Sequence, residues 1–338
     1  MDQSVFKRIF AIVAAMVLTV AFGCGKSASN AGEPEANTAV PQTVSFDADA
    51  PVESGLDSAD HSGIYNVDET TDESSSGSYD SSNPDENTVL VQNAGTLTMS
   101  SADINKTGDA DADYFSGQNA AVAVTTKSRL TLNESNVTTS ALGGYGIFVS
   151  GETSSVAAEN NVVVTSGNSS PALAAVDGGT LVFTGGSIST EGSDSPCVLL
   201  GGNGSVSLSS VSLSAKNSAL IQSLSGNNRL TLTGMQLVTD PVLAGGAMLT
   251  LTLREGASFT GLLGDSLPAR VNIDLDGSST LTLTGDAYVT ALVNADTTHQ
   301  NIQSNGFYLY YDSNAPENTY LNGQSYQLPG GGFIAPII

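Results

Sequence analysis

The fold class this sequence predicts is an all-β solenoid. Three observations predict it: an apolar pattern that returns about every 25 residues, period-two alternation inside each unit, and turn residues between the alternating runs. Leu97, Leu130, Val156, Leu181, Val206 and Leu230 form one equivalent position, separated by 33, 26, 25, 25 and 24 residues. Two residues later stand Met99, Leu132, Ala158, Phe183, Leu208 and Leu232. Seven residues after the first set come Ile104, Val137, Val163, Ile188, Leu213 and Leu237. Six residues before it lie Val91, Val124, Leu200 and Leu224, with Val149 and Ala174 near that point in the other two units. Alternation with period two reads as strand, and the Gly, Ser and Asn between runs read as turns. Such a unit cannot bury its own apolar residues; only stacking like positions on one another makes a continuous core.

A coil of about 25 residues with three short strands resembles the right-handed parallel β-helix of pectin-lyase-like proteins. Leucine-rich repeats, the competitor at this period, need a fixed Asn and a helical face, and neither recurs. The β-helix is expected over 87–287. Past residue 240 the register loosens, with strand-like runs starting at Leu249, Val271 and Leu281, and 280–286 is the last clear repeat. The tail is aromatic (Phe307, Tyr308, Tyr310, Tyr311, Tyr320, Tyr326, Phe333), so 288–338 is expected to cap the open end of the solenoid.

The N-terminus has the layout of a secretory signal over 1–23. Lys7 and Arg8 precede an apolar run from Ile9 to Phe22, which ends at Gly23-Cys24-Gly25. Val20-Ala21-Phe22-Gly23-Cys24 resembles the lipobox of bacterial lipoproteins. That resemblance implies acylation of Cys24 (palmitate among the acyl chains) and export to the cell envelope facing outward, at the outer membrane if the cell has one. Residues 24–86 follow as an expected acidic, disordered stalk. From 25 on they carry fourteen Asp and Glu against one Lys, too little apolar area to offset chain entropy. A sparse apolar set there, Leu56, Ile64, Tyr65 and Val67, is the candidate for docking as an N-terminal cap.

With 10 Lys+Arg and a net charge of -24, binding to nucleic acid or an anionic lipid surface is disfavoured. Once Cys24 is assigned to lipid, Cys197 stands alone, so no disulfide framework exists; with no activating neighbour in sequence it reads as a small strand residue. The run from Tyr114 to Val122, the Leu-Thr-Leu coils and the closing Gly306-Phe307-Tyr308-Leu309-Tyr310 resemble exported β-helix proteins described as adhesin-like, over residues 85 to 312.

Candidate chemistry is sparse. Asp109, Asp111 and Asp113 alternate in an overlong loop and suggest a Ca²⁺ site, against the plainer reading of a solvated acidic loop. An EF-hand match fails, because Tyr114 and Asn119 occupy its Gly and Glu positions. Thr139, Thr165, Thr190 and Thr239 recur nine residues after the reference position and predict a Thr ladder, on the same face as the core. Only His61 and His299 are present and no Arg/Lys pair recurs beside two Asp, so the acid–base set of a polysaccharide hydrolase is missing. The expectation is a non-enzymatic, lipid-anchored β-helix for adhesion or glycan binding, with Tyr308, Tyr310 and Tyr311 as stacking residues and surface or host glycans or proteins as partners. Two alternatives stay open: a carbohydrate-active β-helix enzyme, and a structural envelope protein without ligand.

Overall fold

The computed structural model describes residues 60–111, 116–244 and 246–337. Nearly every ladder in them is parallel, and the chain winds as a β-solenoid of about eleven turns. A representative coil has strands Leu173–Val176, Thr180–Thr184 and Ser187–Ser193, one on each of three sides. Stacked coils give a first sheet of eight strands, a second of ten and a third of six.

The second sheet carries the repeat. Leu97, Leu130, Val156, Leu181, Val206, Leu230, Leu251, Ile273 and Leu292 are successive register partners, and all are at most 2% exposed. Between these inward residues and the next inward column, Thr98, Thr131, Ala157 and Val182 point to solvent. Thr and Val suit this half-exposed pleated surface, and each Leu or Ile sealed inside contributes about 1.5–3 kcal/mol.

One corner explains how the ladder turns without breaking. The residue four after the reference position is Ser101, Glu134, Asn160, Gly185, Ser210 or Gly234, and every one has a φ between 50° and 68°. A single left-handed residue swings the chain from the second sheet to the third. Its N–H still reaches the next coil: Glu134 to the Glu159 carbonyl at 2.9 Å, Asn160 to Thr184 at 2.8 Å, Gly185 to Ser209 at 2.8 Å. Inside the bend, Asn161 is fully buried, donating from Nδ2 to the Leu132 carbonyl and accepting the Ser135 N–H. Buried backbone groups are thereby paired around the corner.

Several expectations are corrected. The solenoid starts before residue 87: Gly63–Asp68, Thr71–Ser75 and Ser78–Ser81 make a full first coil, so 60–86 is not stalk. Acidic composition hid it, because a terminal coil needs only one apolar face; Val67 is buried, and Tyr65 and Tyr79 pack together at 5.0 Å beneath the core. On the first sheet the inward partner of Val149 is Ala175, not Ala174, and Ser223 rather than Leu224 pairs with Leu200. Leu251, not Leu249, continues the Leu230 column. The coil shortens here to 21, 22 and 19 residues between column members, since 230, 251, 273 and 292 are register partners.

The third sheet also stops. Its last strand, Ser212–Asn217, has no ladder to Gln236–Val238, which begins a separate four-stranded sheet with Ser258–Gly261, Thr280–Leu283 and Ile302–Gln303. A cleft of about 400 Å³ opens at the break, with Leu213, Leu220, Met235 and Leu237 on its walls.

The solenoid runs past 287 as well. Ala291–Asn294, Ile302–Gln303 and Tyr308–Tyr311 form another coil, so the cap is shorter than 288–338. It consists of a 3-10 helix, Pro316–Leu321, and the short strand Tyr326–Gln327 running antiparallel to Phe333–Pro336. Among the described residues no helix is long and apolar enough to cross a membrane.

Candidate functional site

The end sheet is built from Ala287–Val289, Tyr308–Tyr311, Phe333–Pro336 and Tyr326–Gln327. Period two sends Ala287, Val289, Leu309, Tyr311 and Ile334 into the core and leaves Tyr288, Tyr308, Tyr310 and Phe333 outside. Register then brings the outer four together, Tyr288 beside Tyr310 and Tyr308 beside Phe333. Their rings form one continuous offset stack. Tyr288 and Tyr310 are 5.0 Å apart at 16°, Tyr310 and Tyr308 5.6 Å at 14°, Tyr308 and Phe333 5.6 Å at 27°. Offset stacking lets each ring contact its neighbour while part of its face and its edge meet water. Tyr308 is 37% exposed, and its N–H is held by Asp286 Oδ1 at 2.8 Å. Partial burial, then the Asp286 carboxylate and the neighbouring tyrosines, raise the Tyr310 hydroxyl above its ordinary pKa.

Two of the three expected stacking tyrosines therefore lie in one surface strip. The third does not. Tyr311 is fully buried and its hydroxyl donates to the Gln324 carbonyl at 3.0 Å, because it falls one residue out of phase with Tyr308 and Tyr310. Tyr288 and Phe333 were missed. The available signal was spacing: Tyr288 precedes Tyr310 by 22 residues, one shortened coil.

The acidic loop is put to structural use. Asp109 Oδ1 accepts the Leu142 N–H at 2.8 Å, and the Asp111 N–H donates to Asp85 Oδ1 at 3.2 Å. Asp113 lies outside the described residues, and among those described no group of three or more His, Cys, Asp or Glu is placed to hold a metal ion. Nearby, the fully buried Lys106 ammonium donates to the Asn83 carbonyl. Burial lowers its pKa, an effect opposed by Glu86, Asp85 and Asp109.

Thr139, Thr165 and Thr190 are in register, but they face inward and are at most 3% exposed; Thr165 donates to the Ser170 carbonyl at 2.6 Å. Ala215 continues that column, whereas Thr239 lies beyond the sheet break, so no surface Thr ladder forms. Cys197 is fully buried against the Ser214 carbonyl at 3.3 Å, and burial pushes its thiol up to about 11, which leaves it protonated and inert. His61, just before the first strand, has its ring 6.3 Å from that of Phe148 in the fourth strand of the first sheet, whereas His299 is buried against Tyr326 of the cap, so the two imidazoles are far apart along the solenoid. Cys24 lies outside the described residues.

No protein-family model, curated protein or solved structure matches this chain.

Proposed function

We propose that this chain is an exported, lipid-anchored β-solenoid that contacts glycans, without catalysis, through the aromatic strip at its C-terminal end. The observation that carries this reading is the outward stack of Tyr288, Tyr310, Tyr308 and Phe333 on a rigid sheet. Partly exposed aromatic rings offer apolar faces to the C–H groups of a sugar, and the tyrosine hydroxyls offer hydrogen bonds at the rim. A sheet holds them in place before binding, which lowers the ordering cost. Net charge of -24 directs the preference toward neutral or amino sugars and away from uronic-acid polymers. The lipobox-like residues up to Cys24 support the envelope location.

A glycan array combined with a reducing-sugar assay tests this. Wild type is expected to retain one class of neutral or amino glycan without releasing sugar ends. Tyr308→Ala with Tyr310→Ala is expected to weaken binding roughly tenfold or more, the scale of one to two lost stacking contacts. Retention unchanged in the double variant, or release of reducing ends by wild type, would overturn it.

A further inference from the structure

Charge is spread unevenly along this chain. Arg270 is its last Lys or Arg, and six carboxylates follow: Asp274, Asp276, Asp286, Asp296, Asp312 and Glu317. His299, the remaining base in that stretch, is buried, and burial lowers its pKa. The coils that carry the aromatic strip are therefore anionic and hold no fixed cation of their own.

Two of these carboxylates border the strip. Along the strand Tyr308–Tyr311, period two puts Tyr308, Tyr310 and then Asp312 in one phase. The Asp312 N–H still donates to the Val289 carbonyl at 3.1 Å, so the ladder holds that far. On the neighbouring strand Ala287 lies beside Leu309 and Tyr288 beside Tyr310, which brings Asp286 next to Tyr308. Asp286 is exposed, and its Oδ1 accepts the Tyr308 N–H at 2.8 Å, which fixes the carboxylate at the end of the strip. Asp312 Oδ1 accepts the Asn314 N–H at 2.9 Å. Among the described residues only Arg254 and Asp274 form an ion pair, so no cation of theirs neutralises Asp286 or Asp312.

Rings and carboxylate together select one kind of ligand. Aromatic faces take the C–H side of a sugar ring. A carboxylate held in place takes an ammonium group through a charge-assisted hydrogen bond. N-acetylation of an amino sugar removes that charge, and a uronic acid reverses it. A lysine side chain brings the charge on a flexible stem but no flat ring for the stack.

We propose that the strip selects glycans bearing free amino groups, with Asp286 receiving the protonated amine while Tyr308 and Tyr310 hold the sugar ring. This inference rests on the glycan reading of the strip and narrows its ligand to cationic amino sugars. The rings supply affinity and Asp286 supplies selectivity, so substitution separates the two.

Titration calorimetry of the full chain tests it with a glucosamine oligomer, its fully N-acetylated form, a glucose oligomer and an oligolysine, all of equal length. Wild type is expected to bind the glucosamine oligomer roughly fivefold or more tighter than the N-acetylated one, an advantage that shrinks as salt is raised. Asp286→Asn keeps an oxygen to accept the Tyr308 N–H. It is expected to bring the two oligomers to equal affinity, with the near-ultraviolet circular dichroism of the tyrosines unchanged. Tyr308→Ala with Tyr310→Ala is expected to weaken both. Equal affinities in wild type, or a preference that survives Asp286→Asn, would overturn the selectivity and leave the glycan reading standing. Oligolysine bound as tightly as the glucosamine oligomer would overturn it in favour of a cationic peptide. Wild type that binds no glycan at all would remove the glycan reading and this inference with it.

Discussion

His299 shows how one buried residue ties stability to pH. It is 3% exposed, its ring meets Tyr326 edge-on at 5.3 Å, and Nδ1 lies 3.4 Å from Asn294 Nδ2. Burial lowers its pKa, and the Asp296 carboxylate only partly opposes that. The folded value is below the ordinary value of about 6.5, so on acidification the unfolded chain takes up the proton first. The stabilisation is complete above that ordinary value and is lost as pH falls from it toward the folded one. The thermal midpoint is therefore expected to fall between pH 7.5 and 5.5. His299→Asn, which suits the φ of 57° at this position, is expected to flatten that dependence. An equal fall in the variant would remove His299 from the account. Asp276 works in another window. Burial alone would raise its pKa, but hydrogen bonds from the Glu255, Ser278 and Ser279 N–H groups and the Ser278 hydroxyl outweigh this and lower it. Its stabilisation is present above the ordinary carboxylate value of about 3.9 and disappears in stronger acid, so the two effects separate along the pH axis.

Among the elements, the C-terminal cap is the one with the clearest physical task. The last strand of the second sheet, Ala291–Asn294, would present an open edge. Asn318 closes it from the 3-10 helix: Oδ1 accepts the Leu292 N–H at 2.8 Å, while Nδ2 donates to the Thr290 and Asp312 carbonyls at 2.8 and 2.7 Å. Tyr320 adds a hydroxyl bond to the Leu292 carbonyl at 3.0 Å. Asn318→Leu keeps the branched shape but leaves those buried groups unpaired, at a cost of about 2–3 kcal/mol. Because each coil contacts only its neighbours, the loss is expected to stay local. Limited proteolysis should cut within 291–337 faster, while hydrogen exchange in the coils of 122–193 stays unchanged; uniform loosening of both regions would contradict the prediction. The tail's aromatic residues thus divide by phase. Tyr311, Tyr320 and Tyr326 close the end, whereas Tyr288, Tyr308, Tyr310 and Phe333 make its surface.

For the molecule as a whole, the proposal is a directional arrangement of lipid anchor, acidic tether and solenoid with a terminal contact strip. Its first link is the one most simply tested. Cells expressing the chain and fed labelled palmitate are expected to incorporate label into wild type and not into Cys24→Ala, since acylation needs the sulfur. No label on wild type, or label that survives the substitution, would detach the solenoid from the membrane. Two acyl chains contribute roughly 0.8 kcal/mol per buried methylene, enough for lasting attachment without a spanning helix.

The sequence by itself determined the class of fold, the coil length and the inward columns of the second sheet. A residue such as Leu181 or Phe183 must be buried on every coil, and burial imposes a repeating apolar pattern that any reader can count. Tertiary structure alone decided the rest. The first coil escaped notice because Tyr65, Val67 and Tyr79 seal an end with few apolar residues among many acids. The break after Ser212–Asn217 was hidden because Leu213 and Leu237 keep the repeat spacing although no ladder joins their strands. The aromatic strip depended on register, which sets Tyr288 beside Tyr310 and turns Tyr311 inward. Spacing along a chain reports what each coil buries; which residues share an outer face depends on how neighbouring coils align, and a shift of one residue reverses it.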